Sequence, residues 1–440
     1  MKLEVFVSGI PIAVLESQDG FEHALTYYPN IPDDAFVSLL MPVRSKSYIY
    51  PELHPQFQMN LPEGFLLSIL QQQLGPHIGA SPLNLLSFIG RNTIGRVQLA
   101  PFGADLTKPP SAFEVRDILK GDNSEEAFVE LVRQYASSGV SGVVPKFLSP
   151  EIMAQFNKVT VSTPRYIIKG SSSKLPYIAL NEHLSMMVSA KSKIETASTE
   201  VSDDGQALLV SRFDVDDETG QSIGMEDLCS LLALRPAQKY ETSWEKVANQ
   251  VKAFVPKDKQ STELEKLAGI LLLTYALGNA DCHSKNLALL YSSFEDVRLS
   301  PVYDMLSISV YDDYSLNPPG LTMAGRKTWT PRASLQRFTQ TQFGLRPAQH
   351  KQLVERICDG IVDTWPEVLA HVRDKPGFST LGMRMLNRWN SGMKSLQYDK
   401  SIVVPDLSAQ LIGLNTPKVI TPRPVRIGQS PLLGSRGKKR

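Results

Sequence analysis

Asp281 and Asn286 stand five positions apart in the run Asp281-Cys282-His283-Ser284-Lys285-Asn286. Transfer of a phosphoryl group to a hydroxyl needs a carboxylate to take the proton and oxygen ligands for Mg2+. Kinases set an Asp and an Asn at this spacing, so that base and metal ligand leave one tight loop together. His283, two residues after Asp281, completes a D-x-H-x-x-N pattern of the kind found in small-molecule and atypical kinases. A second metal carboxylate is expected on a short strand hairpin downstream, and Asp304, after Pro301-Val302-Tyr303, stands there. Mg2+ takes one or two carboxylates and completes its shell with phosphate oxygens and water. The spacing therefore predicts Asp281 as base, with Asn286 and Asp304 as metal ligands. A polar turn would also hold Asp and Asn; Asp304 behind them tips the reading toward chemistry.

Lys169 ends the β-branched run Tyr166-Ile167-Ile168-Lys169, as a phosphate-pairing lysine ends its strand in kinases. A helix beginning near Asn181-Glu182 follows, and Glu182 is a candidate ion-pair partner for that lysine. Ser141-Gly142-Val143-Val144-Pro145-Lys146 is a small-residue turn whose backbone N–H groups could cradle phosphates, although it is neither a Walker A loop nor GxGxxG. Ser211-Arg212-Phe213 closes a strand and is a candidate hinge whose backbone would meet adenine.

These residues need elements to hold them. Residues 2–7, 10–16 and 21–28 alternate like strands, with a turn at Asp19-Gly20. Helices are expected from Pro62 to about Leu74 and, capped by Ser81 with Pro82 behind it, to about Ile89. A strand returns near 95–102. Ser124 is expected to cap a helix to about Ala136, with Glu125 and Glu126 in its first turn. Strands follow at 165–169 and 207–213, with a helix over 181–193 between them. Ser261 is expected to cap a helix over 262–277 that delivers the chain to Asp281. A strand at 297–302 leads to Tyr303-Asp304, and residues 348–397 read as helical. The expected organisation is α+β: a β-meander module over 1–110, the nucleotide-facing part of an N-lobe over 111–215, a helical catalytic C-lobe over 216–398, and an aperiodic tail over 399–440.

Composition excludes several classes. The 440 residues carry a net charge of +1, so no strong field draws the whole chain to nucleic acid. Seven Lys and Arg against Asp406 give residues 401–440 a net +6, leaving −5 for the rest. That basic stretch, with its prolines, reads as disordered. Three scattered cysteines, Cys229, Cys282 and Cys358, argue against a disulfide framework or zinc site and fit a reducing cytoplasm. The apolar stretch around 270–277 is far short of a membrane span.

Taken in order, these motifs resemble the HipA family of bacterial serine/threonine kinase toxins. The resemblance adds Asn60-Leu61-Pro62-Glu63-Gly64, Ile89-Gly90-Arg91-Asn92-Thr93-Ile94-Gly95, Glu226-Asp227 and Lys239-Tyr240 to the segments above, and covers most of residues 1–395. It implies a bilobal fold distantly related to protein kinases. It implies ATP held by Ser141–Lys146, Lys169, Ser211–Phe213, His283–Asn286 and Tyr303–Asp304. It implies a small helix-turn-helix antitoxin of the HipB type, operator DNA bound through that complex, and an aminoacyl-tRNA synthetase, the glutamyl enzyme above all, as substrate. Val144 stands where the family often has Gln, and Ser211 where it often has Glu. Gly139 stands where family members carry the serine that they autophosphorylate; Ser138 and Ser141 flank it. Two other readings stay open: a kinase-fold corepressor with little activity, and a small-molecule kinase.

Overall fold

The structure, a computed structural model, describes residues 1–18, 22–61, 81–104, 106, 115–124, 126–127, 159–162, 165–216 and 218–411. The helix expected from Pro62, most of the helix expected after Ser124, the Ser141–Lys146 turn and residues 412–440 lie outside them.

The chain opens with an antiparallel meander: β1 (Lys2–Val7), β2 (Ile10–Gln18), β3 (Glu22–Tyr27) and β4 (Tyr48–Tyr50). Ser8 and Gly9, both at positive φ, make the tight turn between β1 and β2, the geometry that matches strand twist in a two-residue hairpin. Leu3, Val5 and Val7 alternate into the core with Ile12 and Leu15. A helix, α1 (Pro82–Ile89), starts at the N-cap Ser81 as expected, with the Ser81 hydroxyl accepting from the Asn84 amide. It packs below β5 (Val97–Pro101), which pairs with β1 and closes the sheet in the order β4-β3-β2-β1-β5.

The second sheet, in the order β6-β7-β9-β8, holds β6 (Val159–Ser162), β7 (Tyr166–Gly170), β8 (Thr199–Val201) and β9 (Ala207–Ser211). Between β7 and β8 runs α2 (Ile178–Lys191). It begins three residues before the expected start because Tyr177, at φ 55°, turns the chain into it.

A third sheet, β10 (Gly224–Asp227), β11 (Ala288–Tyr291) and β12 (Val297–Leu299), carries the catalytic-loop candidates on its connections. The helices α3 (Trp244–Phe254), α4 (Gln260–Leu277), α5 (Ala333–Phe343), α6 (Pro347–Asp374) and α7 (Pro376–Leu396) build the rest of this lobe. In α3, Trp244, Val247, Ala248 and Val251 are buried, the one-sided stripe of a surface helix. By contrast α4 is buried along nearly its whole length. Its last turn meets α7 so closely that a Cβ on Gly392 would fall on the Ala276 carbonyl oxygen.

Two expectations need correction. Ser261 does not cap α4, because the chain already winds at Lys259 and Gln260, whose amides both donate to the Pro256 carbonyl. The tail reading fails for residues 401–411: Ile402, Leu407 and Leu411 are buried on the helical lobe. Asn390 accepts from the Leu407 amide and Lys394 pairs with Asp406 at 3.0 Å. Three well-spaced apolar side chains suffice to dock a segment that has no helical or strand periodicity.

The N-terminal module is fastened to the third sheet by buried polar groups. The Glu226 carboxylate accepts from the Leu39 amide, the Ser38 hydroxyl and the Tyr291 hydroxyl. Gly95, at φ +82°, donates its amide to Asp214 at 2.6 Å. Burial pushes the Glu226 carboxyl up to about 7 from 4.5, against its hydrogen bonds. The folded state thus holds a proton on Glu226 that the unfolded chain releases above pH 4.5. Stability falls as pH rises from about 4.5 to 7, by about 3 kcal/mol for a shift of this size. Glu226→Gln keeps acceptor and donor atoms in place. Thermal denaturation should show the variant matching wild type near pH 5 and melting several degrees higher at pH 8. A variant that melts lower at both pH values would show that the proton is not what matters there.

Candidate active site

Gly278, at φ 73°, ends α4 and turns the chain toward Asp281. The turn is packed on both sides, with the Gly278 carbonyl accepting from the Ser309 amide and a Cβ there colliding with Arg388. Asn279 then accepts from the Asp281 amide at 3.1 Å, which orients the loop. Residues Ser284–Asn286 form a single 3-10 turn, and the Asn286 side chain accepts from the His283 amide. The β11–β12 hairpin follows directly and returns the chain to Asp304. That return is clamped. Val302 exchanges backbone hydrogen bonds with Glu195 and Ala197. Ser307 bonds through its backbone to the Asn181 side chain and through its hydroxyl to the Trp389 indole N–H.

The outcome is a compact charged cluster drawn from four elements. The Lys169 ammonium on β7 lies 2.5 Å from Glu182 on α2 and 2.9 Å from Asp304. The second oxygen of Asp304 accepts from the Asn286 side-chain Nδ2. Glu182 is almost fully buried, whereas Asp304 keeps 21% of its side chain exposed and Asp281 keeps 34%. Asp304 sits at φ 56°, in the left-handed region that few residues other than Gly, Asn and Asp adopt. The clamps on both sides of it hold that conformation. The arrangement brings Asn286 and Asp304 together with Lys169, which lies 135 positions before Asp304 in the sequence. It also supplies the Glu182 partner.

Asp281 has a contact that sequence reasoning missed. The Tyr240 hydroxyl donates to the Asp281 carboxylate, and the Tyr240 ring meets His283 edge-on at 4.9 Å. His283 itself lies 4.0 Å from Asp281. Tyr240 was present only as part of the Lys239-Tyr240 resemblance; nothing in its local sequence ties it to a carboxylate 41 positions away. The loop's remaining residues face other tasks. The Ser284 hydroxyl donates to the Lys239 carbonyl, and Lys285 reaches the Met59 carbonyl of the N-terminal module. Cys282 is buried and its thiol is pushed up to about 12 by that burial, so it is a poor nucleophile at neutral pH.

The hinge candidate divides by residue. The Ser211 amide donates to Ser198 and the Arg212 amide to Arg165, so both are consumed by neighbouring backbone. The Arg212 guanidinium turns to Asp214 and to the Thr93 carbonyl, binding the N-terminal module. Phe213 instead packs its ring 5.3 Å from that of Tyr303, whose hydroxyl donates to the Lys285 carbonyl. Ile94, Ile223, Met225, Ala288 and Leu290 complete an apolar wall there. Ser141, Gly142, Val143, Val144, Pro145 and Lys146 lie outside the described residues.

The family model for the HipA-like C-terminal domain matches residues 138–365, and that for the HipA N-terminal domain matches residues 3–100. The chain belongs to the HipA family. Among curated relatives, the protein named "Putative kinase Y4mE" of Sinorhizobium fredii is 25% identical over 360 residues, 76% of this chain and 82% of that one. A second Sinorhizobium fredii protein, named "Putative kinase Y4dM", is 24% identical over 339 residues, covering 70% and 78%. Among solved structures, HipA of Shewanella oneidensis, determined with HipB and its operator DNA, superposes at a TM-score of 0.62 and 16% identity. The match covers 88% of this chain and 97% of that one. The expected α+β, kinase-like HipA fold is therefore the fold of this chain. Among the described residues no helix is long and apolar enough to cross a membrane.

The donor set suits Mg2+ with a nucleotide polyphosphate. Asp304 supplies a hard carboxylate oxygen donor, Asn286 lies against it with its side-chain oxygen on the His283 amide, and Lys169 supplies a cation for phosphate within hydrogen-bond distance of Asp304. No group of three or more His, Cys, Asp and Glu side chains gathers as a metal site among the described residues, here included. A Mg2+ that completes its shell with phosphate oxygens needs no such group.

Proposed function

We propose that this HipA-family protein is an ATP- and Mg2+-dependent serine/threonine protein kinase. The observation that carries the reading is Lys169 paired with both Glu182 and Asp304. That lysine–glutamate pair, joined to a metal carboxylate, is the arrangement a kinase needs to fix the phosphates of ATP. Asn286 and Asp304 would hold Mg2+, which supplies neutralisation of phosphate charge when bound. Lys169, held by Glu182 and Asp304, would pair with phosphate oxygens. Asp281 accepts the proton of a serine or threonine hydroxyl as that oxygen bonds to the γ-phosphorus and the bond from that phosphorus to the β-bridging oxygen breaks. Tyr240 holds the Asp281 carboxylate in the orientation for this transfer, and Phe213 with Tyr303 would offer apolar contact to the base of the nucleotide. The protein contributes position and fixed charge rather than covalent chemistry.

The finer reading rests on family membership. A HipA-type toxin would phosphorylate a translation component, with an aminoacyl-tRNA synthetase of the glutamyl type as first candidate. A HipB-like antitoxin would neutralise it and carry it to operator DNA. The fold shared with a HipA solved beside HipB and operator DNA supports that partnership. If the basic end of the chain contacts DNA phosphates, truncation after Leu411 will reduce operator affinity of the antitoxin complex and its salt dependence. The cut belongs after Leu411 because residues up to it are part of the lobe. Equal affinity at every salt concentration would remove that segment from DNA binding.

Labelled γ-phosphate transfer from Mg-ATP into a bacterial lysate tests the activity. One labelled band is expected, and its identity names the substrate. Label on the enzyme alone would point to self-phosphorylation at a serine other than the position now held by Gly139. No label, with nucleotide still bound, would favour a corepressor without kinase activity. Tyr240→Phe should lower kcat about tenfold, the worth of one hydrogen bond to a charged group. The KM for ATP should stay unchanged in steady-state kinetics, because Tyr240 touches the base and not the Lys169 cluster. A raised KM with normal kcat would place Tyr240 in nucleotide binding instead.

A further inference from the structure

A cleft of about 510 Å3 opens beside the base, lined by Tyr240, Thr242, Glu245, Lys246, Thr322 and Lys327 among others. Tyr240 and Lys327 form its boundary with a second hollow of about 230 Å3 that holds Asp281 itself. The two hollows are thus one side chain apart, and a chain lying with its hydroxyl at Asp281 would extend into the larger one.

The walls of that cleft are built rather than loose. Thr322 bonds to the Thr242 carbonyl through both its amide and its hydroxyl, and Trp244 returns its amide to the Thr322 carbonyl. One oxygen of Glu245 accepts from the Ala324 amide at 2.7 Å. Its other oxygen is buried and has no hydrogen-bond partner among the described residues, and the same holds for the hydroxyl of Thr242, a residue only 4% exposed. Two buried acceptor atoms lacking partners are costly. A group that brought donors to this wall of the cleft would satisfy them. The two lysines point the other way electrostatically, but neither decides the matter. The Lys327 ammonium donates to the Tyr240 carbonyl and lies over the Tyr240 ring. Lys246 is exposed on the rim, where solvent screens it. The carboxylate oxygen inside is screened far less.

We propose that this cleft is a specificity pocket for a basic side chain, arginine or lysine, that flanks the phosphoacceptor hydroxyl in the protein substrate. The proposal rests on the kinase reading for the word substrate, while the chemistry of the cleft is independent of it. Glu245 and Thr242 are its specificity-determining residues.

The test is direct binding to the full-length protein, read by fluorescence anisotropy. The probes are labelled serine heptapeptides with one arginine moved through each position on either side of the serine, each matched by the same peptide with citrulline. Citrulline keeps the shape and removes the charge. At one or two positions arginine should bind about ten- to a hundredfold tighter than citrulline, the range for a hydrogen bond to a charged group. Glu245→Gln, which retains the oxygen that accepts from Ala324, should erase that preference, and Thr242→Val should reduce it. Equal binding of the two peptide sets, no binding of either, or a preference that survives Glu245→Gln would overturn the pocket. The arginine preference without phosphate transfer would keep the pocket and remove the kinase reading. Transfer without the preference would do the reverse.

Discussion

Replacing Asp281 by Asn is expected to reduce phosphoryl transfer by about two to four powers of ten while nucleotide affinity stays near wild type. The size follows from what the carboxylate does. The acceptor hydroxyl must lose its proton as its oxygen bonds to phosphorus, and Asn cannot take that proton. The geometry explains why binding should survive. Asp281 leans on Tyr240 and sits 4.0 Å from His283, outside the Lys169, Asp304 and Asn286 contacts that would meet the phosphates. Asn is close in size and retains an oxygen for the Tyr240 hydroxyl, so the loop has no reason to rearrange. Single-turnover transfer and equilibrium nucleotide binding, measured side by side, check both halves. Full activity in the variant would remove Asp281 from the chemistry; lost nucleotide binding would move it into the phosphate site.

Asp304→Asn is expected to lower transfer by about a thousandfold or more, the loss that several kcal/mol of charge stabilisation represents. Here the loss should appear in metal dependence. The carboxylate faces Lys169 with one oxygen and the Asn286 side-chain N–H with the other, and removing its charge removes the one anionic ligand that would hold Mg2+ there. Asn is chosen because the position has φ 56°, and Asn tolerates the left-handed region better than almost any residue but Gly. The melting temperature should therefore change little. Titration of nucleotide affinity against Mg2+ should show the curve displaced to much higher metal concentration. A curve that does not move would mean that Asp304 serves only to pair Lys169.

The two variants act on residues that the chain presents very differently. Asp281 and Asn286 lie on one short loop, and their spacing alone announced a shared turn. Asp304 follows a short strand, so a hairpin return was legible too. Lys169 closes a β-branched run, a local signature that strand pairing preserves. These features survive in one dimension because spacing within a loop or along a strand is set by backbone geometry, whatever surrounds it. The family resemblance rested on the same kind of local segments, and two family models match the chain over residues 3–100 and 138–365.

Other features exist only once the lobes close. Tyr240 reaches Asp281 because the Ser284 amide and hydroxyl both bond to the neighbouring Lys239 carbonyl, drawing two distant segments together. Arg212 reads as a hinge residue in sequence, yet its guanidinium pairs with the nearby buried Asp214 carboxylate and reaches the Thr93 carbonyl on the N-terminal module. Residues 401–411 read as tail because apolar docking without periodicity leaves no pattern. The cleft beside Asp281 is the same case: Thr242 and Glu245 are ordinary turn and helix-start residues until Thr322 and Ala324 pack against them. Sequence by itself determined the family to which the chain belongs and most of the local elements that carry its motifs. Tertiary structure alone decided which neighbours each group meets, because burial and long-range pairing depend on chain closure that no local spacing encodes.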